Sequence, residues 1–355
     1  MAEEKEINIK GSFSCPIPKS EYEKILLAHG GGGTLSHQLI SKLFLPQFDN
    51  EIINLQHDSA ILNIGLEKIA FTTDSYVIKP IFFPGGDIGM LAVNGTINDL
   101  SVAGAVPLYI SVAFIIEEGF PVEDLWRIVK SINETARNAG VLVVTGDTKV
   151  VERGKGDKIF INTSGIGVVA NDIGFSPANC KAGDRIIING NIADHGIAIM
   201  SAREGLEFET EILSDSAPLN DLIQSVLDVS KNVHVMRDPT RGGVASTLKE
   251  IASAAGLGIE IDEKDIPVRE DVKGACEILG FDPLYIANEG KVIFFVAEED
   301  AQKVIETLRL HSLGKDAAII GLVTKEHSGT VVLNTVIGSK RIVEMITGEQ
   351  LPRIC

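Results

Sequence analysis

From about residue 60 onward, short runs rich in isoleucine and valine alternate with stretches of helical periodicity, and the alternation breaks once. No other feature narrows the fold as much, because such runs bury their apolar faces as sheets covered by helices. In the first half, Ile61–Ile64, Ile69–Thr73, Leu108–Ile116, Val141–Thr145 and Ile159–Val169 read as strands, with helices over Gly89–Ala103 and Val122–Asn138. The second of those helices opens after Pro121, a good first-turn residue. At Asn171–Ala182 the pattern gives way to Asn, Gly, Pro, Cys and Lys, which marks a boundary. Strands then recur at Arg185–Asn189, Val233–Met236, Ile259–Ile261, Lys291–Val296, Ala317–Val323 and Thr330–Leu333. Helical patterns fall at Ile197–Arg203, Leu219–Val229, Val244–Ala255 and Ala301–Leu310. At roughly 150 residues per domain, a chain of 355 suggests about two. The expected class is therefore α+β (mixed α/β), two domains, each a mixed sheet covered by helices. The expected division is a flexible arm with a glycine-rich segment and first helix at 1–44, domains at 45–170 and 171–345, and a mobile tail at 346–355.

Charge and cysteine usage exclude several classes. Acidic residues number 49 and basic ones 32, an excess of 17 that repels phosphate backbones and anionic lipid. Nucleic acid and membrane are thus not expected partners. No run of 18 apolar residues exists, and Met1–Glu6 is acidic and lacks the apolar core of a secretory signal. Cys15, Cys180, Cys276 and Cys355 lie far apart with no Cys-x-x-Cys pair, which argues against zinc or a disulfide framework and for the cytoplasm.

The usual phosphate-binding devices are missing. No Gly-x-x-x-x-Gly-Lys-[Ser/Thr] occurs, and Gly165–Ala170 matches a dinucleotide fingerprint only inside a strand pattern. Carboxylates recur instead where strands are expected to give way to turns, at Asp58, Asp74, Asp99 and Asp147. One such Asp is an ordinary turn former or cap. Four together fit nucleotide binding through metal, since Mg²⁺ takes oxygen ligands and bridges carboxylate to phosphate. Lys149, two residues beyond Asp147, shares its strand face and can answer phosphate or carbonyl charge. Gly30, Gly31 and Gly32 can offer backbone N–H groups to the same phosphates, or form a plain linker. Asp238-Pro239-Thr240-Arg241-Gly242-Gly243 leads into a helix, where Arg241 and unpaired N–H groups suit an anion. Glu289 stands before a nearly all-apolar strand, where burial would suit a general base, or it closes a turn. His195, near a helix start, reads as structural. Cys355 ends the chain behind Pro352 and Arg353, and a thiol on a free tail is something surfaces normally avoid.

Taken together these residues resemble the AIR-synthetase-related ATP-dependent superfamily and, within it, the hydrogenase-maturation carbamoyl dehydratase (HypE) family. The resemblance runs from about Ala28 to Cys355. It is carried by Ala28–Gly30, Thr72–Ile78, Phe82–Gly86, Val144–Val151, Thr240–Gly243, Ala287–Lys291 and the terminal Leu351-Pro352-Arg353-Ile354-Cys355. His57-Asp58 departs from the paired aspartates of many superfamily members. The resemblance implies that a carbamoyl-transferring maturation enzyme loads the Cys355 thiol. ATP-dependent dehydration then leaves a thiocyanate, and an iron-bearing scaffold complex takes the cyanide ligand for a [NiFe] hydrogenase. It implies Cys355, Glu289 and Lys149 as catalytic; Gly30, Gly31, Gly32, Asp74, Asn98 and Arg241 as nucleotide contacts; and Asp58, Asp74, Asp99 and Asp147 as Mg²⁺ ligands. It also implies a homodimer paired through the first domain, which would bind the ATP. Two rivals differ in what they ask of the cysteines: a selenophosphate-synthetase-like phosphotransferase using Cys15, and a non-catalytic carrier that only shuttles a group on Cys355.

Overall fold

The structure, a computed structural model, describes residues 33–44, 53–56, 60–64, 67–170, 174–205 and 211–346. Its first sheet holds β1 (Ala60–Ile64), β2 (Glu67–Tyr76), β5 (Ala105–Glu117), β6 (Leu142–Val151) and β7 (Ile159–Val169), in the order β1-β2-β7-β5-β6. Only β5 and β6 run parallel. A small hairpin of β3 (Phe82–Phe83) and β4 (Gly86–Asp87) lies beside it. One face of the sheet packs on α2 (Ile88–Val102), and α3 (Val122–Asn138) lies against α2 in the same core layer. The helix α3 buries Ile128, Ile132 and Ala136, spaced so that they line one face.

The second sheet has seven strands: β8 (Arg185–Ile188), β9 (Val233–Arg237), β10 (Gly258–Asp262), β11 (Ile293–Val296), β12 (Ala318–Thr324), β13 (Val331–Asn334) and β14 (Lys340–Val343). Their order is β14-β13-β10-β12-β8-β11-β9. Central strands such as Ile186-Ile187-Ile188 are apolar at every position because both faces are covered. Ile186 and Ile188 join the layer of α6 (Gly243–Ala255), whereas Ile187 points into the layer of α5 (Asn220–Val229) and α8 (Glu298–Leu310). The helices α4 (Asp194–Glu204) and α7 (Glu270–Leu279) form a smaller core of their own.

The helix α2 joins the halves. It is buried at nearly every position rather than along a stripe, as a helix must be when protein surrounds it. Its start is capped by Asp87, whose carboxylate accepts from the Gly89 and Met90 N–H groups at 2.7 and 3.1 Å. Beyond the first sheet it meets α5, and Val102 sits in the core layer of the second domain. The segment 211–219 crosses the junction. Asn98 of α2 donates to the carbonyls of Ala217 (3.1 Å) and Glu289 (3.2 Å) and accepts from the Leu219 N–H (2.8 Å).

The expected strands and helices are present, with three additions. The helix α7 and the strands β14 and β3–β4 carry too short or too mixed a pattern to stand out. The first helix, α1, runs over Thr34–Leu39 and continues as a π-turn over Ile40–Phe44. One positional expectation is corrected. Asp74 and Asp147 stand inside strands β2 and β6, and Asp99 inside α2, not at turns. Such residues are aimed by strand register or helix face, not by a loop.

Because the Asn98 amide satisfies two junction carbonyls and one buried N–H, Asn98→Ala should cost about 2–3 kcal/mol. Urea unfolding of the two proteins would measure it, and an unchanged midpoint would contradict the clamp.

Candidate functional site

Strand register decides which side chains meet. Thr72, Asp74 and Tyr76 alternate onto one face of β2. That face looks at α2: Asp74 pairs with Thr163 of β7, whose hydroxyl lies 2.5 Å from that of Thr96. The Thr72 hydroxyl donates to Asp99 at 2.9 Å, and Tyr76 donates to Asp74 at 3.2 Å. Asp74 and Asp99, both half-buried, are therefore neighbours across β2 and α2. Two neighbouring carboxylates, each accepting from a hydroxyl, offer hard oxygen ligands that suit Mg²⁺.

Glu289 faces the same place from the second domain. It is only 3% exposed, and among the described residues its Oε1 has no hydrogen-bond partner. Its peptide is fixed at both ends: the N–H donates to Asp215 Oδ1 at 3.0 Å, and the carbonyl accepts from Asn98. Burial pushes the Glu289 carboxyl well above its usual range, and Asp238, Asp215 and Asp74 add to this while Arg241 opposes it. Tyr76 is likewise raised, by burial and then by Asp74, Asp99 and Glu289. The loop before α6 supplies Asp238 and Arg241. It rests on the Glu289 segment through Asn288, whose N–H and side-chain amide both donate to the Pro239 carbonyl. The helix α6 opens on Gly242 with no side-chain cap. Gly243 has a φ of +61°, and a Cβ there would lie 2.5 Å from the Leu284 carbonyl, so glycine alone lets the loop approach.

Behind Glu289 lies a buried charged cluster. The Lys291 ammonium stands 2.9 Å from Asp215 Oδ2. Burial pushes Asp215 up, but Lys291 and His195 outweigh it and hold the carboxyl below its usual range. Burial and then Asp215 push Asp194 up to about 6. His195 is fully buried, edge-on to Phe83, with Nδ1 2.8 Å from Ser214 Oγ.

Of the expected site residues, Asp74, Asp99, Glu289 and Arg241 converge here. Asn98, expected among the nucleotide contacts, donates both amide hydrogens to junction carbonyls. Asp147 and Lys149 do share a face, paired at 3.1 Å and largely exposed (62% and 71%). Yet Asp147 pairs with Ala113, then Asn162, then Ser75, whereas Asp74 pairs with Thr163, and Thr163 with Val112. Neighbouring residues point oppositely, so Asp147 and Lys149 lie on the far face of the sheet from Asp74. Gly30, Gly31, Gly32, Asp58 and Cys355 lie outside the described residues. Tyr76, Asp215 and Lys291 are neighbours that sequence reasoning missed. Lys291, two residues beyond Glu289, was within its reach; nothing in Ser214-Asp215-Ser216 signalled a buried ion pair.

Residues 56–169 match the AIR synthase related protein, N-terminal domain family, and 181–334 match the AIR synthase related protein, C-terminal domain family. Carbamoyl dehydratase HypE of Cupriavidus necator is 50% identical over 94% of this chain and 95% of its own length. Its Escherichia coli counterpart is 47% identical, covering 93% and 99%. Among solved structures, a HypE in complex with ATP shares 48% identity at a TM-score of 0.79, over 94% of this chain and 100% of that one. A HypE–HypF complex shares 53% at 0.83, over 87% and 99%. Among the described residues, no helix is long and apolar enough to cross a membrane.

Because Glu289 titrates higher in the folded than in the unfolded chain, its stability contribution is intact below the unfolded carboxyl range and is lost as pH rises through the folded value. Glu289→Gln lacks that loss. Its gain in melting temperature over the parent should be small in acid, grow with pH across that window and then level off. A gain independent of pH would show that the Glu289 carboxyl is not perturbed.

Proposed function

The chain belongs to the carbamoyl dehydratase HypE family of AIR-synthase-related proteins, and on that premise we propose that it uses ATP to dehydrate a carbamoyl group on Cys355. The product is a thiocyanate, the source of a cyanide ligand in [NiFe]-hydrogenase maturation. The observation that carries this reading is Glu289: a buried carboxyl with a raised proton affinity and an unpartnered oxygen, set across the domain junction from Asp74 and Asp99.

An amide oxygen is a weak nucleophile and a poor leaving group. When Glu289 takes one N–H proton, the carboxamide oxygen gains electron density and attacks the γ-phosphoryl group of ATP, releasing ADP. The C–O bond then breaks, phosphate departs with the bonding pair, and loss of the second N–H proton completes the C≡N bond. Thiocyanate, ADP, phosphate and one proton balance the thiocarbamate and ATP consumed. Asp74 and Asp99 would hold Mg²⁺, which when bound neutralises triphosphate charge. Arg241, at the mouth of the same cleft, faces the anionic substrate. Carrying the substrate on the chain makes the encounter intramolecular.

The reach of residues 346–355 supports this. Cys355 is nine residues beyond Ile346, a covalent span of at most about 30 Å. Arg341, five residues before Ile346, pairs with Asp282 at 2.7 Å, and Asp282 stands only seven residues before Glu289. Thr34, just after the glycine run, donates its N–H to the Ile346 carbonyl at 3.1 Å, so the run's last residue, Gly33, lies beside Ile346. This supports assigning Gly30, Gly31 and Gly32 to the phosphates.

The far face of the first sheet supports a homodimer. Phe71, Ile166, Tyr109 and Leu142 form one exposed row across β2, β7, β5 and β6, and β6 is an open edge. An apolar sheet face of this kind invites a second copy. Asp147 and Lys149 lie on that face, and we assign their contribution to the nucleotide site as it exists in the dimer. A relative's HypE–HypF complex supports a carbamoyl-transferring partner, and an iron-bearing scaffold would accept the product. The dehydratase names of relatives about half identical to this chain do not favour the phosphotransferase or carrier rivals.

Carbamoylated protein given Mg²⁺–ATP should lose one water, about 18 Da, by intact-mass measurement. Asp99→Asn should retain the carbamoyl mass, and Glu289→Gln should slow its loss by about 100-fold or more. Unchanged mass in a loaded parent would favour the carrier. Leu142→Asp should shift the protein from dimer to monomer in sedimentation, and a dimer that persists would move the interface elsewhere.

A further inference from the structure

The mechanism above uses Glu289 but leaves unexplained the ion pair behind it. Lys291 and Asp215 are both almost fully buried, their side chains 10% and 5% exposed. Burying two charges is costly unless further hydrogen bonds use the remaining lone pairs. Here the second oxygen of Asp215 accepts the N–H of Glu289 itself, at 3.0 Å. Gly290 sits between the two residues, and a Cβ on it would overlap the Asp215 carbonyl, so the two backbones are in direct contact. The Gly290 carbonyl accepts from Asn189 at 3.2 Å, and Asn189 in turn accepts the Val292 N–H at 2.8 Å. Asp215 also rides on the junction-crossing segment, where Ser216 accepts from Asn94 and Ser214 donates its N–H to Pro84. The pair therefore ties Glu289 to the first domain, which carries Asp74 and Asp99.

We propose that the Lys291–Asp215 pair is the positioning device for Glu289: it fixes the Glu289 peptide at the domain junction and keeps a negative charge beside its carboxyl. This rests on the reading of Glu289 as the base. The charged and titratable groups facing Glu289 are Asp238 and Arg241 from the loop before α6, Asp74 and Tyr76 from β2, and Asp215 from the crossing segment, with Lys291 and His195 acting on Asp215. Lys291 keeps Asp215 ionised in spite of its burial, and the ionised Asp215 favours the protonated form of Glu289. Neither residue touches substrate; both act through Glu289.

The test uses full-length chain carbamoylated on Cys355, with single-turnover dehydration by Mg²⁺–ATP followed across pH by intact mass. Asp215→Asn keeps an acceptor for the Glu289 N–H but removes the charge. Its acid limb should move to lower pH by on the order of one unit. The double variant Asp215→Asn with Lys291→Met avoids stranding a buried ammonium, and its limb should move the same way by less. Limbs that stay in place in both variants while the rates fall would overturn the proposal in favour of a packing role. A second readout needs no turnover: the pH-dependent stability gain of Glu289→Gln should shrink when made in the Asp215→Asn background. A parent that never loses water would refute the base assignment, and the unfolding comparison would still decide whether the pair governs Glu289. An undiminished gain overturns the proposal.

Discussion

The helix α2 has no solvent face, and everything at the junction follows from that. A helix so enclosed must pair its polar side chains mainly with protein, because little water reaches them. Asn98 does so by binding the crossing segment and the Glu289 carbonyl together. Asp99, one residue further and half-buried, opens toward Thr72 and the cleft. The same burial that locks the two domains thus sets the spacing between a carboxylate of the first domain and a carboxyl of the second.

Electrostatics at the junction follows from collecting acids where solvent is scarce. Asp238, Asp215 and Asp74 act on Glu289, and Asp74, Asp99 and Glu289 act on Tyr76, from five separate segments of chain, and burial removes the screening that would separate them. Not all of them can ionise cheaply. Asp215 is spared by Lys291, and Glu289 carries the penalty as a raised proton affinity. A proton acceptor whose affinity is set this way is suited to drawing a proton from a carboxamide N–H, which is far less acidic than an ordinary carboxylic acid. The acid excess of the whole chain is therefore not only a matter of solubility.

The first sheet divides its work between its faces. The face toward α2 presents Thr72, Asp74 and Tyr76, and the opposite face presents the apolar row ending at Leu142 together with Asp147 and Lys149. A sheet one residue thick separates the two groups.

Much of the architecture was legible in the sequence because it rests on local periodicity. Ile186-Ile187-Ile188 and Phe294-Phe295 announce strands covered on both faces, and Val122–Asn138 shows its helix at the stated bounds. Glu289 before an apolar strand left a buried acid and a turn former as alternatives, and the terminal Pro-Arg-Ile-Cys already narrowed the family. Residue order alone could not say that Asp74 and Asp147 sit on opposite faces, since that depends on which strands pair and in what register. Nor could it find Asp215, which lies 74 residues from Glu289 and meets it only because the crossing segment is pressed against the Glu289 turn. Sequence determined the elements, the class and the chemistry-bearing residue types. Tertiary structure alone decided which of those charges share a cleft, because Coulomb and desolvation energies depend on distance through space and on burial, and neither is written in the spacing along the chain.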